Sequence, residues 1–450
     1  MLKLLVPIQL FFVGFFGFFG FSFINSPEEN HEMTICKTVG ETTLPTVSVN
    51  PSLTNSPIET DPNKTYTLPT LTKNNKGEVV LYWTEKDPQN VVSLCFATSK
   101  DGKTYSEKKT VFADGGLGNG RLMRPKLLFK KNGEMVAVFS YRTSPAMPPR
   151  EARPSAQLQE ANHSNHNAPA PQQAPATRPK RSSEIRFTVS KDGGSTWTSP
   201  TSVDTDTTKL TRGFFDAVLL ANDEIAVAYL KDVKGSTKHE ERDLRLAITK
   251  NGVFQAEKLI DAVVCDCCNI SMVVDEAGAL HMVYRDNNND IRDMSHIVSK
   301  DNGATFSAPK TLYADKWEIK GCPHAGATTV SVKNEQYATW FSGTQNGQSG
   351  FRLASSSGKL LKVLDASAKN TYITADDKTA VLVWEQTSES GVSNVFYSKI
   401  INGKLLDSQK VIDSDYGQNA STLVFNGKVL VAYEVLKADK KTVLAAKVVE

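Results

Sequence analysis

The sequence predicts an all-β propeller, with seven blades favoured and six as the alternative. Three observations carry that reading. A short apolar strand ending in an aromatic recurs seven times, hairpin turns separate the intervening strands, and helical periodicity is nearly absent. The recurring strand ends at Trp83, Tyr141, Tyr229, Tyr284, Trp340, Trp384 and Tyr433, at spacings of 44 to 58 residues save one of 88. Turns such as KNNKGE, KKNGE, DEAGA and FNGK reverse the chain between runs of period-two alternation. Four short strands in about 40–50 residues make one blade, and blades stack face to face around an axis. A pair of separate β-sandwiches is the competing all-β architecture.

Residues 1–25 combine Lys3 with a Phe-rich apolar run and read as a secretory signal. An uncleaved anchor is the alternative, because the run approaches the ~20 residues that span a bilayer. The chain is therefore expected to be exported: periplasmic, extracellular, or attached to a membrane through residues 1–25. Residues 26–65 form an N-terminal segment in which a strand at Thr46–Asn50 would complete the last blade, since the chain from about Gln418 holds only three strands. The propeller is expected over residues 66–450. Residues 144–183 interrupt the second blade with a Pro-, Ala-, Gln- and Asn-rich stretch, read as a disordered insertion because it holds almost nothing apolar enough to pack. His163 and His166 within it read as solvated loop residues.

Composition limits the function classes. Of 450 residues, 40% are apolar and 22% charged, enough for a sizeable core and too apolar for wholesale disorder. Lys plus Arg total 52 against 49 for Asp plus Glu, so no domain-wide basic excess marks a nucleic-acid binder. Six cysteines are too few to build a disulfide-stapled miniature, which makes their positions informative.

Two turns are nearly identical: Ser190-Lys191-Asp192-Gly193-Gly194-Ser195-Thr196-Trp197 and Ser299-Lys300-Asp301-Asn302-Gly303-Ala304-Thr305-Phe306. A shorter copy runs from Ser99 to Tyr105, and a worn copy from Thr249 to Phe254. Asp and Ser side chains close such a turn on backbone amides, Gly takes a positive φ, and the aromatic packs beneath. The pattern resembles the Asp-box (BNR repeat) of the sialidase superfamily, over roughly residues 66–450. The resemblance implies structural turns on the outer rim. It also implies exo-glycosidase chemistry on sialosides, with three arginines on the substrate carboxylate, a Tyr–Glu nucleophile pair and an Asp acid/base. Where the family's first arginine stands, this chain reads TYTLPTLTKNN and has none; Arg124, Arg212, Arg285, Arg292 and Arg352 are available elsewhere.

The candidate catalytic residues are accordingly Asp216, Tyr284 and Glu385. The candidate substrate-binding residues are Arg212, Arg285, Asp286, Arg292 and Asp293, for a glycan or another anionic small ligand, because Arg presents a bidentate fork to carboxylate or sulfate. The same Arg–Asp groups also suit ion pairs that lock blade loops.

Four cysteines lie in two motifs, Val264-Cys265-Asp266-Cys267-Cys268-Asn269 opening the fourth blade and Gly321-Cys322-Pro323-His324-Ala325-Gly326 opening the fifth. With Tyr284-Arg285-Asp286 and Arg292-Asp293 between them, the set resembles a subgroup of secreted BNR propellers carrying CxCC, YRD, RD and CPHxG. The fold would bring Cys265, Cys267, Cys268, Cys322 and His324 toward one mouth of the channel. Thiolates with one imidazole suit copper or zinc. Strand alternation would send Cys265 and Cys267 to one side and Cys268 to the other. Disulfides in an oxidising compartment and a thiol activated by His324 are the alternatives. Cys36 and Cys95 read as buried or mutually paired. Two functions follow: recognition of anionic glycans with sialidase-like chemistry, or a copper- or zinc-binding propeller.

Overall fold

In each repeat the second strand carries apolar residues at consecutive rather than alternating positions, so both faces of its sheet need cover. The computed structural model, which describes residues 56–143, 182–208, 210–236 and 241–449, supplies it with seven antiparallel sheets arranged as the blades of a propeller. Blade 1 comprises Thr65–Lys73, Val79–Lys86, Val92–Ser99 and Lys109–Asp114. Blade 2 comprises Lys126–Phe129, Met135–Arg142, Ser183–Ser190 and Thr201–Ser202. Blade 3 comprises Arg212–Leu219, Ile225–Asp232 and Arg242–Lys250, with Val253–Phe254 and Lys258–Val264 both paired to the third strand. Blade 4 holds Ser271–Val274, Leu280–Arg285, Met294–Ser299 and Lys310–Tyr313, and blade 5 holds Thr328–Val332, Glu335–Ser342, Gly350–Ser355 and Leu360–Val363. Blade 6 has Ala368–Ala375, Thr379–Thr387 and Ser393–Ile401, with Lys404–Leu405 and Gln409–Lys410 on the third strand. Blade 7 ends the chain with Gly417–Phe425, Lys428–Leu436 and Thr442–Val449. The first strand of each blade is the innermost.

The core is divided in the same way, with one apolar cluster between each pair of neighbouring blades. In blade 1, Leu81 and Trp83 pack toward blade 7, while Val80 and Tyr82 pack toward blade 2. The aromatic near the end of the second strand is the largest filler, and Trp83, Phe139, Tyr229, Tyr284, Trp340 and Tyr433 are all fully buried. Burying such a ring contributes about 2–3 kcal/mol. In blade 2 the buried ring is Phe139 rather than Tyr141, whose hydroxyl donates to Asp114 at 2.9 Å.

The residue after that aromatic is a second recurring device. Glu385 follows Trp384 and accepts the backbone amide of Asn419 in blade 7. Glu434 follows Tyr433 and accepts the amide of Leu68 in blade 1 at 2.8 Å. Leu68 and Asn419 sit at bulges of their inner strands with φ of 57° and 51°, which turns each amide out of the ladder toward the neighbouring blade. Arg285 occupies the same position after Tyr284 and instead donates to the carbonyls of Ala325 and Phe341 in blade 5.

The inner strand of blade 1 closes the ring by lying against all three strands of blade 7. The Leu71 amide donates to Ser421 Oγ at 3.2 Å, and Thr442 Oγ1 donates to the Tyr66 carbonyl at 2.6 Å. The closing strand expected at Thr46–Asn50 lies outside the described residues, as do residues 1–25 and residues 144–181 of the insertion. At the edge of that insertion the Thr143 amide donates to the Ser182 carbonyl at 3.2 Å, so the chain leaves and re-enters blade 2 at one point. Among the described residues no helix is long and apolar enough to cross a membrane.

The Asp-box turns join third strands to fourth strands. Asp301 Oδ1 accepts the Ser299 hydroxyl at 2.7 Å and the Thr305 amide at 2.9 Å, while Ser299 Oγ accepts the Gly303 amide at 2.8 Å. Gly303 has φ of 80°, and a Cβ there would lie 2.4 Å from Ile248 of blade 3. Gly194 repeats the arrangement against Phe96 of blade 1, also at 2.4 Å. Glycine is thus required both by the backbone and by docking on the preceding blade. The worn copy has no Asp, and Glu224 from the first hairpin of blade 3 replaces it, accepting the Thr249 hydroxyl and, at 2.7 Å, the Asn251 amide.

The Thr305 hydroxyl and amide and the Ser299 hydroxyl hold the Asp301 carboxyl down to about 2, from an ordinary 3.8. A depressed folded-state pKa stabilises the fold fully above about pH 4 and is lost as pH falls toward about 2. Asp301→Asn is therefore expected to melt below the wild-type protein at pH 7, with the difference in Tm vanishing near pH 2. Thermal melts of both proteins across that range check it.

Candidate functional site

The inner strands surround an axial cavity of about 340 Å³. Every blade contributes to its wall, through residues that include Leu71, Lys126, Asp216, Ser271, Thr329, Tyr372 and Leu423. Its cations come from the stretch Arg121-Leu122-Met123-Arg124-Pro125-Lys126 that leads into the inner strand of blade 2. A single 3-10 turn at Arg121–Met123 ends where Pro125 forces Arg124 into an extended conformation, with ψ of 131°. Lys126 Nζ lies 2.6 Å from Asp216 Oδ1. Arg124 donates to the carbonyls of Pro69 at 3.1 Å and Asn419 at 2.9 Å, and its guanidinium lies 5.4 Å from the centre of the Tyr372 ring. Arg121 is exposed and makes no hydrogen bond or ion pair with the described residues. Desolvation by the surrounding protein lowers its pKa, opposed by the charge of Glu385.

Among the candidate catalytic and substrate-binding residues, Asp216 alone lines this cavity. Its carboxylate is committed, with Oδ1 on Lys126 and the Ala217 amide, and Oδ2 accepting the Met272 amide of blade 4 at 2.7 Å. Tyr284 is buried between blades 3 and 4, where its hydroxyl donates to Asp261 at 2.5 Å; burial and that carboxylate push its ionisation far above the ordinary value. Glu385 is buried with both oxygens accepting from Asn370 Nδ2 at 2.9 Å, and burial raises its pKa.

The expected arginine clamp is distributed otherwise. Arg212 gives Nε to Asp204 at 2.6 Å and its terminal nitrogens to the carbonyls of Thr208 at 2.8 Å and Asp206 at 3.0 Å. Lys231 completes that network on Asp204, Asp206 and Glu257. Arg285 serves the carbonyls of Arg292, Ala325 and Phe341, with Trp317 beneath it at 5.0 Å. Asp286 accepts from Ser295 Oγ at 2.9 Å and Asn288 Nδ2 at 3.1 Å, and Asp293 accepts the amides of Lys316 and Trp317. Arg292 is buried, 3.8 Å from Asp290. These groups hold loops and blades, because backbone carbonyls and amides covered by the next blade need partners. The residues that sequence reasoning passed over are Arg121, Lys126, Asn370 and Tyr372. Their signal was three basic side chains in six residues, placed just ahead of an inner strand.

The two cysteine motifs do meet. After Lys258–Val264 the chain turns at residues 265–268 instead of continuing extended, so alternation fails and Cys268 joins the other two. The sulfurs stand 3.8 Å (Cys265–Cys267), 3.7 Å (Cys265–Cys268) and 4.0 Å (Cys267–Cys268) apart, all buried. Burial opposes ionisation of Cys268, yet donation from Cys265 and Cys267, the Arg285 charge and the Ala325 amide hold its thiol well below the ordinary value. Cys322 is exposed, with Sγ 3.4 Å from Asp266 Oδ1 and within 4.8 Å of the Cys267 sulfur. His324 stands apart from this group: it is exposed, and Nδ1 lies 2.8 Å from the Cys322 carbonyl of its own loop. The acidic group beside Cys267 and Cys322 is the Asp266 carboxylate, and the His324 imidazole does not join them. Cys95 is buried in blade 1 beside Thr110, and Cys36 lies outside the described residues.

Asn269 joins the two motifs, donating from Nδ2 to the Ala327 carbonyl at 2.8 Å and accepting the Gly326 amide at 3.0 Å. A Cβ on Gly326 would lie 2.0 Å from the Asn269 carbonyl oxygen, whereas one on Gly321 would meet open space. Gly326→Ala should therefore cost at least about 1–3 kcal/mol, the range for overpacking, because backbone rather than a side-chain tip must retreat. Gly321→Ala should be near neutral. Urea midpoints at unchanged slope distinguish the two.

Fold and turns together define a propeller built from Asp-box repeats. Residues 172–371 match the family model of the BNR repeat-like domain. No curated protein matches it. Among solved structures, an ulvan lyase from a polysaccharide lyase family superposes with a TM-score of 0.50 at 10% identity, over 86% of this chain and 94% of that one. A protein of unknown function from Dyadobacter fermentans gives 0.46 at 16% identity, over 76% and 96%. A point mutant of the NanB sialidase from Streptococcus pneumoniae gives 0.45 at 11%, over 86% and 68%.

Proposed function

We propose that this propeller binds an acidic glycan in its axial cavity, after export directed by residues 1–25. One observation carries the reading: Arg121, Arg124 and Lys126 converge on a cavity of about 340 Å³, and Arg121 has no partner there. A guanidinium so placed offers two parallel donors to a carboxylate or sulfate. Asn370 and Tyr372 line the same cavity, with the Tyr372 ring beside the Arg124 guanidinium. The volume falls at the small end of ligand pockets, about 300–1,000 Å³, and suits the end of a saccharide chain. The ulvan lyase that shares this fold has been solved with a segment of glucuronate and sulfated rhamnose bound, an acidic saccharide of the kind proposed.

Binding is favoured over sialidase-like cleavage. Among the described residues Asp216 is the one acidic side chain on the cavity wall, and it is held by Lys126 and two amides. A general acid needs a carboxyl that gains and loses a proton at the scissile oxygen, and a carboxylate locked in this way is poorly suited to it.

Calorimetric titration with uronate-, sulfate- and sialate-bearing oligosaccharides, beside neutral counterparts, tests the proposal. Acidic sugars should bind, more weakly as salt rises, without release of reducing ends. Arg121→Ala should lower affinity by about tenfold or more, the loss of a charge-assisted pair, with Tm unchanged because Arg121 supports nothing else. Affinity unaltered in Arg121→Ala, or binding of neutral sugars only, would reject the site.

A further inference from the structure

We infer that Cys265, Cys267 and Cys268 form a three-thiolate site for a soft metal ion, cuprous copper foremost, with Cys322 and Asp266 at its mouth. This goes beyond glycan binding and does not depend on it. The geometry is the first support. A metal about 2.3 Å from each sulfur sets the sulfurs about 3.8 Å apart in a tetrahedral arrangement and about 4.0 Å apart in a trigonal one. The three separations here, 3.7, 3.8 and 4.0 Å, fit that range. A disulfide between any two would draw them to about 2.05 Å and leave the third thiol out of the group.

The local fold is the second support. An extended chain would point Cys268 away from Cys265 and Cys267, and the turn at residues 265–268 brings all three sulfurs to one point. Core filling alone asks only for apolar volume there, not for three convergent soft donors. Thiolate donors select cuprous copper and zinc over harder ions, and a buried trio favours the ion content with three ligands. Cys322 supplies the approach: it is exposed, and its sulfur is within 4.8 Å of that of Cys267. An arriving ion can be handed inward while thiol protons pass to solvent.

The test uses the whole chain, reduced and stripped of metal, titrated anaerobically with cuprous ion supplied as its acetonitrile complex. The thiolate-to-copper charge-transfer band and metal analysis after gel filtration give the stoichiometry. One ion per chain is expected, retained by Cys322→Ser but lost about tenfold faster to a chelator, as for removal of a supporting group. Cys268→Ser should retain none, and Cys267→Ala serves as the second variant should Cys268→Ser fail to give native circular dichroism. The assignment is overturned if the reduced wild-type chain retains no ion, or if a folded Cys268→Ser or Cys267→Ala variant binds as well as wild type. It is equally overturned if Cys322→Ser abolishes binding, or if mass spectrometry of the native protein finds the trio in disulfides.

Discussion

Each blade is covered on both faces by its neighbours, and no blade has a core of its own. Leu81 and Trp83 look one way and Val80 and Tyr82 the other, so a blade removed from the ring would expose two apolar faces. Burial of this kind is completed only when the last blade meets the first, which makes closure a condition for the whole rather than a finishing detail. The inner strand of blade 1 meets that condition by packing across blade 7. Polar groups follow the same logic. Glu385, Glu434, Arg285 and Asp216 each reach from one blade to a backbone group of the next, so the apolar interfaces are fixed in register by hydrogen bonds that an unclosed ring would leave unmade.

The repeat was legible because double-sided burial writes itself as continuous apolar runs with a large aromatic, and because Gly-rich turns separate them. Blade number and Asp-box turns followed from that. The roles of the charged residues did not. An arginine beside an aspartate has the same chemistry as a ligand clamp or as a blade latch, and only the neighbouring blade decides between them. For Arg212 and Arg285 that neighbour covers the guanidinium and presents carbonyls to it. Arg121 and Lys126 were passed over for the complementary reason, since the cavity they face is assembled from seven strands spread along the chain.

The cysteine cluster shows a third kind of miss. Convergence of the two motifs is readable from the repeat, but the direction of Cys268 is not, because strand alternation does not hold across the turn at residues 265–268. The cue was present in Asp266 and Asn269, both residues that bend the backbone readily. Asn269 also lies on the wall of the axial cavity, as do Ala325 and Gly326 of the facing loop. The thiol turn and the cation-lined cavity therefore share a boundary built from one asparagine and one obligatory glycine, while their chemistries remain separate.

The hydrogen bond between Thr143 and Ser182 makes the long insertion topologically surplus. Both ends of the segment meet at one end of the two central strands of blade 2, so a change in its length adds little to the entropy of closing it. Chain termini relocated to this gap would leave every interface between blades intact. Variation can accumulate there at little cost to the fold, and the same gap is where a further module could be spliced in without disturbing the propeller.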